Sequence, residues 1–285
     1  MPSDRRSGAM NRSEFLGALR ETYGASQHAI QLVDRLCDLY QEVGVLPGGV
    51  DMPLNEICPR CAECWEPAED RESPSPTEAG ISAPFIGANY GDRRICVVGM
   101  NFNGAGGLEA NWWICGLHIE AQRAGKRGVR GLPFAYGAMS YARLVERSLA
   151  RLPLDDWEHP MPTTLAPTWD ACAFTQAIKC SPRRPRGSPF PAMFSNCPSL
   201  LFVQELAILR PRVVLILGRA KQPRDSVRSL LRPEWRESPG HIERDRFQLN
   251  GEDVELLSLN HPSSPSWRLS LRQLEQSLSQ RPMLG

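Results

Sequence analysis

The stretch Glu205-Leu-Ala-Ile-Leu-Arg-Pro-Arg-Val-Val-Leu-Ile-Leu-Gly218 decides the fold. Its second half, Val213–Leu217, is an unbroken apolar run of β-branched and leucine residues closed by a glycine, the pattern of a strand buried on both faces. The segment before it, Pro198–Leu209, reads as a helix. Two further runs, Ile95–Val98 and Val254–Leu259, have the same character, and Ala171–Ile178 is a weaker fourth. Helical patterns lie between and after them, at Ala138–Ala150 and from Trp267 to about Ser279. Strands alternating with helices predict an α/β fold: an αβα sandwich on a central, mostly parallel four-stranded sheet.

In such sheets ligands bind beyond the carboxyl ends of the strands. Those ends carry the chemically interesting residues here: Gly99-Met100-Asn101, Lys179-Cys180, Gly218-Arg219 and Asn260-His261-Pro262.

Upstream of the sheet, residues 1–11 read as a disordered lead and Arg12–Glu21 as a short helix. From Ser26 an amphipathic helix buries Ala29, Ile30, Val33, Leu36, Cys37, Tyr40 and Val43, with Ser26 as N-cap and Gly44 just past the end. Residues 1–50 are thus a lead and helical extension, and 51–285 the main domain, with a Pro/Ser/Glu-rich surface loop over Glu66–Ala83.

The chain has 285 residues, 41% hydrophobic and 23% charged, long enough for a full core. Its net charge of +1 provides no global basic field, so nucleic-acid binding requires local patches. No apolar run approaches the roughly 18 residues of a membrane span, and the N-terminus lacks a secretory signal, so a cytoplasmic location is expected.

Nine cysteines in a reducing compartment point to metal rather than disulfides. Cys58-Pro-Arg-Cys61-Ala-Glu-Cys64 has CxxCxxC spacing, and Cys180 and Cys197 flank an Arg/Pro-rich loop far downstream. Two distant thiolates can complete a site begun by a CxxC turn, and on spacing alone zinc and iron–sulfur both remain open. Cys96, Cys115 and Cys172 lie in or beside apolar segments and read as small hydrophobes.

Taken in order, five pieces resemble the uracil-DNA glycosylase superfamily, in particular its iron–sulfur branch. They are Cys58-Pro-Arg-Cys61, the strand ending in Gly99-Met100-Asn101, and Gly131-Leu-Pro-Phe134-Ala-Tyr-Gly137. Lys179-Cys180-Ser-Pro follows, continuing to Asn196-Cys197 and the run quoted first, and then His261-Pro262-Ser263. The resemblance covers the chain from Cys58 to the last helix. It implies a [4Fe–4S] cluster on Cys58, Cys61, Cys180 and Cys197, with Cys64 as a possible substitute for one of the first two.

It also implies a base flipped out of DNA and cut from its sugar. That chemistry needs a fixed hydrogen-bond donor for the departing base anion and a water held against the sugar carbon. His261 is the expected donor and Asn101 the residue that positions water. Phe134 is expected to stack on the flipped base. Ser263, Ser264 and Ser266 would bind phosphates, Trp267 would fill the gap left by the base, and Arg183, Arg184, Arg186, Lys126 and Arg127 would attract the backbone. Lys179 is placed to support the cluster loop or a phosphate rather than to form a Schiff base.

The departures from the family pattern fall on specificity. Met100 stands where the branch has an acidic residue, Phe102 where it has proline, and Gln176 where an asparagine reads uracil's polar edge. Asn103 replaces a bulky tyrosine, and the connection to Phe134 is long, with a Gly104-Ala-Gly-Gly107 turn and the pair Trp112-Trp113. Gln176 would clash with uracil or require a displaced base. A smaller, polar Asn103 with an extra segment predicts a pocket open at the base's 5 position.

The expectation is therefore a monofunctional DNA glycosylase acting on uracil or a modified pyrimidine. A glucosylated hydroxymethylcytosine, excised in defence against phage, is one alternative. A catalytically inactive nucleic-acid-binding module and a zinc-bound structural protein are the others. DNA is the expected partner, with no membrane and no obligate protein partner.

Overall fold

Strand β4, Val213–Leu217, is buried along its whole length and lies inside a sheet, as its apolar run requires. The computed structural model describes residues 11–44, 81–101, 108–129, 134–154, 157–179, 191–218, 225, 228–232, 234–237 and 240–283. Within them seven strands form one mixed sheet in the order β1-β3-β2-β4-β7-β6-β5. The strands are β1 (Phe85–Ile86), β2 (Ile95–Asn101), β3 (Cys172–Ile178), β4, β5 (Trp235–Glu237), β6 (Ile242–Leu249) and β7 (Glu252–Leu259).

The α/β class is thus observed, and the four expected strands are the parallel centre β3-β2-β4-β7. The expected strand count is corrected. An antiparallel β1 borders β3, and an antiparallel β6–β5 ribbon continues from β7. The ribbon's sequence conceals it. Glu243, Arg244 and Asp245 are all buried in β6, where charged residues are rarely found unless paired. They are paired: Arg244 donates to Glu255 at 2.8 Å, and Arg228 bridges Glu243 at 2.5 Å and Asp245 at 2.6 Å.

Helices cover both faces of the sheet. Successive side chains of a strand point to opposite faces. Phe174 of β3 meets Phe134 of helix α4 (Phe134–Leu149) edge-on at 5.9 Å, while Thr175 hydrogen-bonds Glu205 of helix α6 (Val203–Leu209) at 3.2 Å. The remaining helices are α1 (Arg12–Glu21), α2 (Gln27–Glu42), α3 (Ala110–Arg123), α5 (Pro191–Cys197) and α7 (Trp267–Gln280), with short helical turns between.

Both N-terminal helices start as the sequence predicts. Asn11 and Glu14 form a reciprocal capping box on α1, Ser26 accepts from the Ala29 N–H at 3.2 Å on α2, and Gly44 takes a left-handed φ of 75°. Their apolar faces, Phe15, Leu19, Val33, Leu36 and Tyr40, join the same core as the sheet.

Helix α5, a five-residue π-turn (Pro198–Phe202) and α6 run on continuously. Ala192–Leu209 is long and apolar enough to cross a membrane, contrary to the expectation from sequence. Half of it is buried against the protein, and Glu205 in its last third is fully buried and ion-paired. It is a core helix whose apolar content reflects packing.

One buried histidine should leave a mark on acid stability. His118 of α3 stacks on Trp169 with their planes 2° apart and is 5% exposed; burial pulls its pKa down to about 4. The folded state therefore refuses a proton that the unfolded chain takes near pH 6.5. Stability is complete above about pH 6.5 and falls as pH drops toward 4, by roughly 2–3 kcal/mol from this group. Urea titrations of His118→Phe at pH 7 and pH 4.5 should show a smaller acid loss than wild type; an equal loss would refute the assignment.

Candidate functional site

The carboxyl ends of β2, β3 and β7, together with the first turn of α4, bring several predicted residues to one edge of the sheet. β2 and β3 are in register, so Gly99 lies beside Gln176 and Asn101 beside Ile178. His261 follows β7 directly, two strands away from β2 in the sheet order. Phe134 spans the gap: its ring lies 5.9 Å from Phe174 of β3 and 5.3 Å from His261, tilted 33° to the imidazole.

Backbone hydrogen bonds fix the His261 turn. Ser264 N–H donates to the His261 carbonyl at 2.8 Å, and Trp267 N–H to the Ser264 carbonyl at 3.1 Å, turning the chain into α7. The Ser263 N–H donates to Nδ1 of His261 at 3.1 Å. A neutral imidazole that accepts at Nδ1 carries its hydrogen on Nε2. Burial lowers the His261 pKa, so this neutral form prevails at pH 7. The result is one N–H donor of fixed tautomer, aimed from a strand end, with no acceptor among the described residues.

A close approach holds the turn against α4. A Cβ on Gly137 would lie 2.7 Å from Pro262 Cβ, so only glycine lets the helix come this near. Gly137 is one turn beyond Phe134, and the same contact seats Phe134 over His261. Gly137→Ala should therefore displace the turn by a fraction of an ångström or more. Misplacing reacting groups on that scale costs up to about 10²-fold in rate. If the site has the activity that the resemblance implies, steady-state base release by this variant should fall at least tenfold while its melting temperature moves by a few degrees; an unchanged rate would separate the contact from function.

Gln176 is 4% exposed, and its side-chain oxygen is buried without a hydrogen-bond partner among the described residues. The amide lies against the neighbouring strand, where a Cβ on Gly99 would stand 2.3 Å from Oε1. A buried, unpaired acceptor costs about 1–3 kcal/mol, and a ligand N–H would remove that cost.

Several other expectations are corrected. Ser264 and Ser266 bond each other at 2.9 Å, and Ser266 Oγ accepts from Asn260 Nδ2 at 2.9 Å, so these hydroxyls staple the turn rather than await phosphates. Ser263 stays exposed. Trp267 does not project as a wedge: it is held edge-on between Tyr136 and Tyr141 at 6.2 and 6.3 Å. Trp112 is no pocket residue. It is 2% exposed, donates from Nε1 to the Pro84 carbonyl at 2.8 Å and packs on Phe85 at 5.0 Å, with Phe85, Trp169 and Phe174 standing between it and Phe134. Trp113 beside it is 52% exposed.

Lys179 is closed to phosphate. It is fully buried beneath the sheet edge, ion-paired with Glu205, and donates to Thr175 at 2.5 Å. Tyr40 of α2 completes the group by donating to Glu205 at 2.6 Å, a partner that sequence reading missed.

Met100 is partly buried against the core. Asn101 ends β2, its side chain outside the described set. Phe102, Asn103, Arg183, Arg184, Cys58, Cys61, Cys64 and Cys180 lie outside the described residues. Cys197 is described: it is 4% exposed, and its Sγ accepts the Lys179 backbone N–H at 3.2 Å. Cys180 follows Lys179, so the backbone leading into one expected ligand touches the sulfur of another. An N–H donated to a sulfur is the kind of contact that tunes a thiolate ligand. No group of three metal-ligating side chains occurs among the described residues. Burial pushes the Cys96 and Cys37 thiols up to about 12 and raises those of Cys115 and Cys172 well above the ordinary value, so all four are inert core residues.

A cavity of about 410 Å³ lies at the opposite end of the strands among Arg94, Arg212 and Glu252. No protein-family model matches the chain, and no curated protein matches it significantly.

Proposed function

We propose that the protein is a monofunctional DNA N-glycosylase that flips a pyrimidine out of DNA and hydrolyses its bond to the sugar. The observation that carries this reading is the neutral, tautomer-fixed His261 beside Phe134, with Phe134 also packed on Phe174 of β3, the strand that holds the unpaired oxygen of Gln176. The order of motifs, from Cys58-Pro-Arg-Cys61 to His261-Pro262-Ser263, and the helices on both sheet faces agree with a sandwich of the glycosylase kind.

In this reading the C1′–N bond breaks and negative charge passes to the base. His261 Nε2–H holds that charge; a preorganised donor of this sort is worth about 2.7–4 kcal/mol in the transition state. Asn101, at the end of β2, orients the water whose oxygen joins C1′ and whose proton ends on the base. Phe134 bears on the flipped ring. Gln176 accepts an N–H from the base edge, such as the imide of uracil or the exocyclic amine of a cytosine. Cys58, Cys61, Cys180 and Cys197 hold a [4Fe–4S] cluster that fastens the loop after β3, a structural task. No exposed lysine occupies the described part of the site, so the product is an abasic site with an uncut strand.

The test is base release from single- and double-stranded DNA carrying uracil, hypoxanthine, hydroxymethylcytosine or its glucosylated form, with abasic sites revealed by alkali. Cleavage at uracil makes the protein a repair-type enzyme; cleavage only at modified cytosines supports the defence reading. Intact DNA throughout, with the brown cluster loaded, would overturn the enzyme reading in favour of a binding module.

A further inference from the structure

Beside the site, cations and rings alternate in a short ladder. The Arg127 guanidinium lies 5.1 Å above the Tyr136 ring, Tyr136 meets Trp267 edge-on at 6.2 Å, and the Arg268 guanidinium lies 5.6 Å from the Trp267 ring. Both ends adjoin the turn already described. Tyr136 is two residues from Phe134, and Trp267 closes the turn that begins at His261.

The rings are fixed. Tyr136 is 3% exposed with its hydroxyl donated to the Pro160 carbonyl at 2.9 Å, and the Trp267 carbonyl accepts from Tyr141 at 2.8 Å. Neither arginine has a carboxylate partner among the described residues, and both are exposed. The nearby acid in the cleft beside Arg268, Glu158, is taken by Arg272 at 2.7 Å.

A guanidinium held over a ring is partly preorganised, and its N–H groups make the fork that fits two oxygens of a phosphate. Two such groups, without carboxylate partners among the described residues and on a chain of net charge +1, are a local anion surface rather than part of a general basic field. Because Tyr136 is buried under Arg127, the ladder offers no open ring for a base; what it presents is charge. We propose that Arg127 and Arg268 form a two-point clamp on the sugar–phosphate backbone of the DNA strand that delivers its nucleotide to His261. This rests on the glycosylase reading for the identity of the strand.

The test measures binding, apart from turnover. Affinity for an unmodified DNA, which cannot be cleaved, is followed against salt for wild type, Arg127→Ala, Arg268→Ala, the double variant, and Arg35→Ala on the remote helix α2 as a charge control. Each lost phosphate contact lowers the slope of log affinity against log salt by about 0.9 for a duplex or 0.7 for a single strand. The clamp predicts that drop for each single variant, roughly twice it for the double, and none for Arg35→Ala. An unchanged slope in the double variant, or an equal drop in the control, overturns the clamp while leaving the glycosylase reading intact. Base release absent in wild type with the slope changes present would overturn the enzyme and keep the clamp. No DNA binding by wild type would overturn both.

Discussion

His261→Ala is expected to lower base release by about 10²–10³-fold, the loss seen when one preorganised donor is removed from a developing anion. The fold should survive, because the imidazole's one described hydrogen bond, from the Ser263 N–H, is local to the turn. His261→Gln restores an N–H donor without the imidazole and should recover part of the rate. The wild-type pH profile provides a second check. Burial holds the His261 pKa below its ordinary value, so the rate stays level around neutrality and falls in acid. It falls because a proton added at Nδ1 would face the Ser263 N–H donor and break the turn. Single-turnover rates on a cleaved DNA, with DNA affinity measured in parallel, check both points: a small rate loss, or a loss explained by weaker binding, would remove His261 from the chemistry.

The second large effect concerns the buried charge beneath the site. Lys179→Ala or Glu205→Ala should destabilise the protein by about 3–5 kcal/mol, because each leaves its partner as an uncompensated charge where there is no water. That corresponds to a fall of roughly 6–20 °C in melting temperature for a chain of this size. Replacing the pair together, as Lys179→Met with Glu205→Leu, should cost far less than either single change, since no charge is then stranded. Tyr40→Phe should fall between, having lost one bond to a charged acceptor. Thermal melts and urea titrations of the four proteins settle the ordering; a double variant as damaged as the singles would show that the pair itself holds the fold. The same group joins α2 to α6 and β3, so the N-terminal helices are part of the core.

The apolar strands were legible because burial on both faces leaves an unbroken run, as in Val213–Leu217. The ribbon β6–β5 was not, because Glu243, Arg244 and Asp245 look like surface residues until Arg228 and Glu255 are seen to neutralise them. The helix over Ala110–Arg123 was hidden in a glycine-led connection, and its Trp112 was read for chemistry although its indole is core. In the site, His261, Phe134 and Gln176 were placed from their motifs. What sequence could not show was the relation between them: Gly99 making room for Gln176, Gly137 admitting Pro262, and Ser263 setting the tautomer of His261. Each is a contact between segments distant in the sequence, or a backbone bond whose donor leaves no mark in the side-chain pattern. The serines of Ser263-Ser264-Pro265-Ser266 illustrate the other limit, since a hydroxyl that staples a turn and one that binds phosphate read alike.

The central claim, hydrolysis of a base–sugar bond, is tested most directly by mass analysis of the products of cluster-loaded protein with DNA carrying uracil or a modified cytosine. The account predicts a free pyrimidine base and an abasic strand of full length, both absent with His261→Ala. Full-length DNA with every base retained, or a strand cut without release of a base, would contradict it.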